Sequence, residues 1–135
     1  MRSKSEKKWM LWGLVLMVTG VLLGAFGAHA LKPNLSTEAF QSYQSAVLYQ
    51  VLHALALLIL SGKTDLFQQK NLPYHLLILG TLLFSGSIYL LTLCKILTCS
   101  LSFVWILTPL GGTLLLLAWS LFIVRLWRPK SDTNA

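Results

Sequence analysis

Four long apolar runs, separated by short polar segments, dominate the pattern along the chain. A bilayer core about 30 Å thick requires about 20 apolar residues in a helix, because hydrocarbon offers no partner to an open backbone polar group. The runs predict transmembrane helices at about 10–28, 46–62, 74–93 and 103–126. We therefore predict an all-α integral membrane protein with one transmembrane domain, residues 1–135, folded as a four-transmembrane-helix bundle.

The start of the fourth span has two interpretations. Pro109 either kinks a helix over 103–126 or occupies the first position of a shorter helix with Thr108 as its N-cap. In the second case residues 97–107 lie along the membrane surface. The charge of Arg125, near the other end of this run, reaches the interface by snorkelling.

The connections between the runs carry turn and capping signals. Lys32, Pro33 and Asn34 predict a turn that ends the first helix. Ser36 is suited to cap the second helix, with Glu38 in its first turn. The connection at 63–73 is short and polar, which favours antiparallel neighbours in a bundle.

The composition agrees with a membrane location and supplies an orientation. At 56% hydrophobic and 11% charged residues, the 135-residue chain is too apolar for a soluble domain. Its formal net charge is +7, but the basic residues flank the apolar runs and form no patch of the kind that binds nucleic acid. Only Lys32 and Lys95 fall on one side of the predicted membrane, and nine basic residues fall on the other, so both termini are predicted to be cytoplasmic. These nine are Arg2, Lys4, Lys7, Lys8, Lys63, Lys70, Arg125, Arg128 and Lys130.

The first run could instead be a signal peptide, because Ala28, His29 and Ala30 form a small-x-small cleavage pattern. A signal core usually has about 7–15 apolar residues, and this run is longer. Cleavage would also leave an odd number of spans. We therefore interpret the first run as a membrane span.

Cys94 and Cys99 are predicted on the outer face, where an oxidising compartment permits a disulfide. Their spacing alone does not establish one. The sequence favours the simpler interpretation, in which both are small apolar residues at a helix end.

Small residues predict where helices approach one another. Gly13, Gly20, Gly24 and Gly27 lie within about 60° on one face of the first helix and include a Gly-x-x-x-Gly pair. This glycine stripe packs either against the second helix or against another copy of the chain, and we favour the second helix. Further close packing is predicted at Gly86, Gly111 and Gly112.

Polar residues inside the spans are expected to face the bundle interior, because lipid exposure is costly for them. Combined helix faces and depths predict one polar cluster in the outer half of the membrane, in which His53 bonds to Ser85, Tyr89 or Thr108. Three interpretations remain: an internal brace, a site for a lipid or small solute, and a haem or metal site between His29 and His53. Two histidines are too few to predict a metal site, so we predict no cofactor. The candidate residues are His29, Tyr49, Gln50, His53, Ser85, Tyr89 and Thr108.

The sequence lacks the usual signs of catalysis or proton coupling within the spans. Glu6, Glu38, Asp65 and Asp132 all fall outside the predicted helices, whereas proton-coupled exporters commonly use an embedded carboxylate. No nucleophile elbow, zinc-binding helix or phosphate-binding glycine loop is present in the sequence. We therefore predict that the protein is not an enzyme.

Four stretches of the sequence resemble a known family. They are GAFGAHALK at 24–32, YQVLHALAL at 49–57, LFSGSIY at 83–89 and TPLGG at 108–112. They are similar to the YgdD/YwdK-type small inner-membrane proteins of unknown function, to which animal transmembrane protein 256 is also related. The resemblance implies a multi-pass protein of the bacterial inner (plasma) membrane and implies no activity, substrate or cofactor.

These observations favour a helper or scaffold protein. Its partners would be the lipid bilayer and either other membrane proteins or further copies of itself, without nucleic acid. A small-solute or lipid transporter or channel is an alternative, and a haem or metal-binding redox protein is another.

Overall fold

The structure is a computed structural model that describes residues 3–64, 71–99 and 101–127. The described residues contain four helices that are long and apolar enough to cross a membrane. This confirms the predicted all-α fold with four transmembrane helices. They are α1 (Lys4–Phe26), α2 (Thr37–Ser61), α3 (Leu72–Ile96) and α4 (Leu107–Trp127), and α1 continues through a π-helical turn at Gly27–Leu31 and a 3-10 turn at Lys32–Asn34.

Side chains cap the N-termini of the first two helices. Ser3 and Glu6 form a capping box at the start of α1, which satisfies two backbone N–H groups that a helix start leaves open. Ser36 caps α2 by accepting a hydrogen bond from the backbone N–H of Ala39 at 3.3 Å, and Glu38 lies in the first turn, as predicted. Because of this cap, α2 begins well before the apolar run at 46–62.

The start of α4 matches neither of the two predicted arrangements. A short 3-10 turn at Val104–Ile106 leads into α4, which begins at Leu107, so Pro109 lies within the first helical turn. The first four N–H groups of a helix have no intrahelical partner, so the missing N–H of Pro109 breaks no helical bond there. Of the preceding segment, Val104 is buried and Phe103 and Trp105 are exposed.

The helices pack in chain order as two antiparallel hairpins, α1 with α2 and α3 with α4, which meet mainly where α2 contacts α3. We call the end where α1 and α3 begin the termini end, and the opposite end the far end. The indole of Trp9 stacks on Tyr74 at 5.0 Å, and Tyr74 meets Phe122 edge-on at 5.2 Å. Buried apolar residues around these rings form the core: Trp9, Leu16, Ala54, Leu57, Tyr74, Leu77, Ile78, Leu115, Ala118 and Phe122.

The termini end of the bundle carries most of the described basic residues. Lys4, Lys7, Lys8, Lys63 and Arg125 lie there, whereas Lys32 and Lys95 lie at the far end. The cytoplasmic location of both termini remains a prediction. The other basic residues that entered it lie outside the described residues: Arg2, Lys70, Arg128 and Lys130. Asp65 and Asp132, which the sequence analysis placed outside the spans, also lie there.

A disulfide joins Cys94, in the last turn of α3, to Cys99. The favoured sequence interpretation, two unconnected small apolar residues, is therefore wrong. The physical reason is the turn that ends α3: it brings the two Cα atoms to 4.8 Å, within the range that a disulfide spans.

Candidate functional site

Gln50 lies buried near the middle of α2 and connects three helices. Its amide Nε2 donates to the backbone carbonyl of Leu16 at 2.9 Å and to the hydroxyl of Thr19 at 2.8 Å, both on α1. Its amide oxygen accepts a hydrogen bond from the Tyr89 hydroxyl of α3 at 2.9 Å. We call Gln50, Thr19 and Tyr89 the Gln50 brace. Both donors and one acceptor position of the amide are in use.

Tyr43 extends the Gln50 brace toward the far end. Its ring contacts that of Tyr89 at 5.1 Å, and its hydroxyl donates to the backbone carbonyl of Leu23 at 2.8 Å. Gly27 of the π-helical turn makes this possible, because a Cβ there would collide with the Tyr43 ring. The Tyr43 ring therefore occupies the space that a side chain at position 27 would need.

His53 lies one turn beyond Gln50 on α2 and faces α4. Its Nδ1 is 2.7 Å from the carbonyl of Tyr49, and its Nε2 accepts the indole N–H of Trp119 at 3.2 Å. Because a carbonyl only accepts, Nδ1 carries the proton and the imidazole is neutral. Tyr49 stacks on the histidine ring at 5.9 Å and is itself partly exposed. From the sequence, Ser85, Tyr89 or Thr108 is expected as the partner of His53. This expectation is wrong, because each of those hydroxyls bonds to another group.

The remaining hydroxyl groups form separate contacts. Ser85 donates to the carbonyl of Ala46 at 2.8 Å, which ties α3 to α2. Ser87 and Thr108 share a hydrogen bond of 2.6 Å that ties α3 to the start of α4. With the Gln50 brace and the contact between His53 and Trp119, the polar residues thus form four separate hydrogen-bonded groups that join different sets of helices. The predicted single cluster is not formed, because successive residues on one helix point to different neighbours.

His29 belongs to none of these groups. It is exposed in the π-helical turn at the far end, where neighbouring Gly27 faces Tyr43. Tyr43 and His53 are separated by about 15 Å along α2 at 1.5 Å per residue. The structure therefore does not bring His29 and His53 together, and residues 3–64, 71–99 and 101–127 contain no group of three or more potential metal-binding side chains.

The glycine stripe of α1 lies against α2 of the same chain. A Cβ at Gly13 would meet Leu58, one at Gly20 would meet Val51, and one at Gly24 would meet Val47, at 2.8, 2.9 and 3.2 Å. This close approach allows Gln50 to reach the carbonyl of Leu16 directly.

The other glycines have different surroundings. Gly111 packs against the backbone of Phe84, and Gly80, which the sequence analysis did not select, faces Gly111 across the α3–α4 contact. Gly112 has only ordinary contact with Phe84, at 3.8 Å. The prediction of close packing at Gly86 is wrong, because nothing lies within 4 Å of the position its Cβ would occupy. That residue faces an open groove between α1 and α3.

Sequence reasoning missed Thr19, Ser87 and Trp119. Thr19 is the only hydroxyl residue in the first apolar run, and Trp119 lies in the interior of the fourth run, although tryptophan in a membrane helix favours the interfaces. An isolated polar group at such a position indicates a buried hydrogen bond, and this signal could have identified both residues.

Comparison with known proteins establishes the family. Residues 23–112 match the family model described as "Protein of unknown function (DUF423)". The chain belongs to this family. The match includes Gln50, His53 and Tyr89, whereas Thr19 and Trp119 lie outside it.

Curated UPF0382 membrane proteins align with most of the chain. A UPF0382 membrane protein of Staphylococcus haemolyticus is 36% identical, with 87% of this chain and 93% of the relative covered. YwdK of Bacillus subtilis, a UPF0382 membrane protein, is 31% identical over 87% of this chain and 94% of its own length. YgdD of Escherichia coli, a UPF0382 inner membrane protein, is 35% identical over 82% of each chain. No solved structure matches the chain significantly.

These matches confirm the resemblance to YgdD and YwdK. Together with the four apolar helices they show a multi-pass bacterial inner-membrane protein of a family whose function is unknown.

Proposed function

We propose that this DUF423 protein is a non-enzymatic membrane helper or scaffold. In this proposal the interior polar groups hold the bundle together, and its outer faces contact other membrane proteins. The observation that carries the proposal is the Gln50 brace, in which one amide bonds to α1 and α3 at once.

The interior polar groups support a structural role because their bonds are complete. Among residues 3–64, 71–99 and 101–127, every buried side-chain nitrogen or oxygen has a hydrogen-bond partner. Interhelical hydrogen bonds in membranes contribute about 0.6 kcal/mol on average and up to about 1.7 kcal/mol. Several such bonds therefore favour one arrangement of the helices, and a ligand would have to break them to bind here.

The outer helices supply the surface for partners. In the most apolar 18-residue stretch of each span, only 22% of the residues are buried in the first span and in the fourth span. The buried share is 33% in the second span and 39% in the third. Leu22 on α1 and Leu116 on α4 are 64% and 71% exposed. These faces contact lipid or another membrane protein.

Site-specific photocrosslinking in cells tests this role. A benzoylphenylalanine at Leu22 or at Leu116 is expected to give discrete protein adducts. The matched control places the same group at Leu48, an exposed position on the inner helix α2, where weaker adducts are expected. Lipid adducts alone at all three positions would contradict a scaffold role.

A second measurement separates the scaffold from its alternatives. The native mass and absorbance spectrum of detergent-purified protein should show a multimer or a protein complex without a Soret band. A retained solute at one copy per chain would favour a transporter, and a Soret band would favour a haem protein.

A further inference from the structure

A groove between α1 and α3 opens at the termini end of the bundle. It has a volume of about 410 Å³ and is lined by Lys8, Trp9, Trp12, His75, Leu79 and Leu82. Its mouth carries a lysine and a histidine, and its walls are aromatic and aliphatic. A phospholipid has the same arrangement, with a charged phosphate at the interface and apolar acyl chains below it. The basic mouth therefore matches the phosphate, and the apolar walls match an acyl chain.

The lysine at the mouth is held in place by contacts across the groove. Lys8 Nζ lies 3.5 Å from Nε2 of His75 and 4.7 Å from the ring centre of Trp9. The Nδ1 of His75 is 2.9 Å from the carbonyl of Asn71, so it carries the proton and leaves Nε2 to accept from Lys8. The Asn71 side chain in turn accepts a hydrogen bond from the Ser5 hydroxyl at 3.2 Å. The ammonium group keeps two further N–H donors for an anion.

The charges around this mouth favour an anionic ligand. Lys4, Lys7 and Arg125 lie at the same end of the bundle. The nearby carboxylate of Glu6 is engaged elsewhere, with the backbone N–H of Ser3 at 3.0 Å and the Thr64 hydroxyl at 3.4 Å. His75 lies in the first turn of α3, where the helix dipole adds partial positive charge. Basic pockets between transmembrane helices suit anionic lipid head groups.

The groove continues toward the centre of the bundle in the way an acyl chain would need. Trp12 and Leu82 line both this groove and the next one along α1 and α3, which is lined by Val15 and reaches Gly86. The open space beside Gly86 keeps that path clear. The path is apolar over most of its length and opens sideways to the lipid.

We propose that this groove is a binding site for an anionic phospholipid of the leaflet at the termini end. Lys8 binds the phosphate, Trp12 lies at the level of the head group, and one acyl chain follows Leu82 to Gly86. This proposal concerns a surface separate from the outer faces of α1 and α4 and does not rest on the scaffold role.

Native mass spectrometry of the full chain, reconstituted with phosphatidylglycerol or phosphatidylcholine of identical acyl chains, tests the site. Retention of phosphatidylglycerol should exceed that of phosphatidylcholine, and Lys8→Gln should weaken it about fivefold. Lys7→Gln removes the same charge at the adjacent exposed position and should have little effect, and Lys8→Arg should retain binding. Equal retention of the two lipids, or equal effects of Lys8→Gln and Lys7→Gln, would overturn the proposal.

The acyl-chain path has its own test. Gly86→Leu places a side chain in the open groove without meeting a neighbour at its Cβ, so the protein should fold normally and lose phosphatidylglycerol. Unchanged retention in Gly86→Leu would show that the acyl chain lies elsewhere. Displacement of the lipid by millimolar inorganic phosphate would indicate a small-anion site, and a lipid-free dimer that Gly86→Leu disrupts would identify a second copy as the occupant. Either result would also overturn the proposal.

Discussion

The indole N–H of Trp119 on α4 donates a hydrogen bond to Nε2 of His53 on α2, with 3.2 Å between the two nitrogens. The other ring nitrogen of His53 bonds to a carbonyl of its own helix. The two bonds together fix a neutral imidazole with one tautomer, because protonation of Nε2 would remove the acceptor that Trp119 uses.

Replacement of His53 tests this contact. His53→Leu should destabilise the bundle by about 1–3 kcal/mol, because the indole N–H of Trp119 loses its acceptor at a partly buried contact. His53→Gln should be milder, since an amide oxygen can accept the same bond. Thermal unfolding in detergent provides the measurement. In a double-mutant cycle with Trp119→Phe, a coupling energy of zero would show that the two side chains do not interact.

Replacement of Gln50 should be more costly than the same change on an exposed face. Gln50→Leu leaves the hydroxyls of Thr19 and Tyr89 without their shared partner, at a cost of about 1–3 kcal/mol. Gln44→Leu makes the same substitution at an exposed position of α2 and should leave stability nearly unchanged. Equal melting temperatures for both variants would contradict a bracing role for Gln50.

Two glycines of the second hairpin should respond in opposite ways to alanine. Gly111→Ala forces a methyl group into the backbone of Phe84 and should destabilise the α3–α4 contact by about 1–3 kcal/mol. Gly86→Ala meets open space and should be neutral or slightly stabilising, because alanine is the better helix former. Chemical denaturation of both variants in mixed micelles measures the difference, and a stable Gly111→Ala protein would refute the close approach.

The glycine stripe of α1 should not tolerate large side chains. Gly24→Leu is expected to push α1 away from Val47 on α2, whereas Leu22→Ala, on the exposed side of α1, should be mild. Unfolding temperatures in detergent compare the two. Equal unfolding temperatures for Gly24→Leu and Leu22→Ala would show that the stripe faces lipid instead of α2.

The predicted orientation can be tested with thiol reagents. Cys94 and Cys99, after reduction, should react with an impermeant reagent applied to spheroplasts, because the positive-inside rule places the far end outside. In a cysteine-free background, Lys63→Cys at the termini end should react only after the membrane is opened. Position 70, in the same connection, should behave in the same way but lies outside the described residues. Labelling of position 63 in sealed spheroplasts would show that the protein has the opposite orientation.

The sequence by itself determined the number of helices, the cap at Ser36 and the membrane location. These features depend on local chemistry: a run of about 20 apolar residues must be helical in lipid, and a serine before such a helix bonds to its first turn. The shared face of Gly13, Gly20, Gly24 and Gly27 also follows from the helical period alone.

Only the tertiary structure decided which polar residues meet. Gln50 and His53 share a face of α2 by helical periodicity, yet Gln50 bonds to α1 and α3, and His53 bonds to α4. Periodicity gives the direction of a side chain around its own axis but carries no information about which neighbouring helix lies there. That choice depends on how closely Gly20 and Gly111 let their helices approach their neighbours. The packing of the four helices therefore decided that Thr19 bonds to Gln50 and that Trp119 bonds to His53.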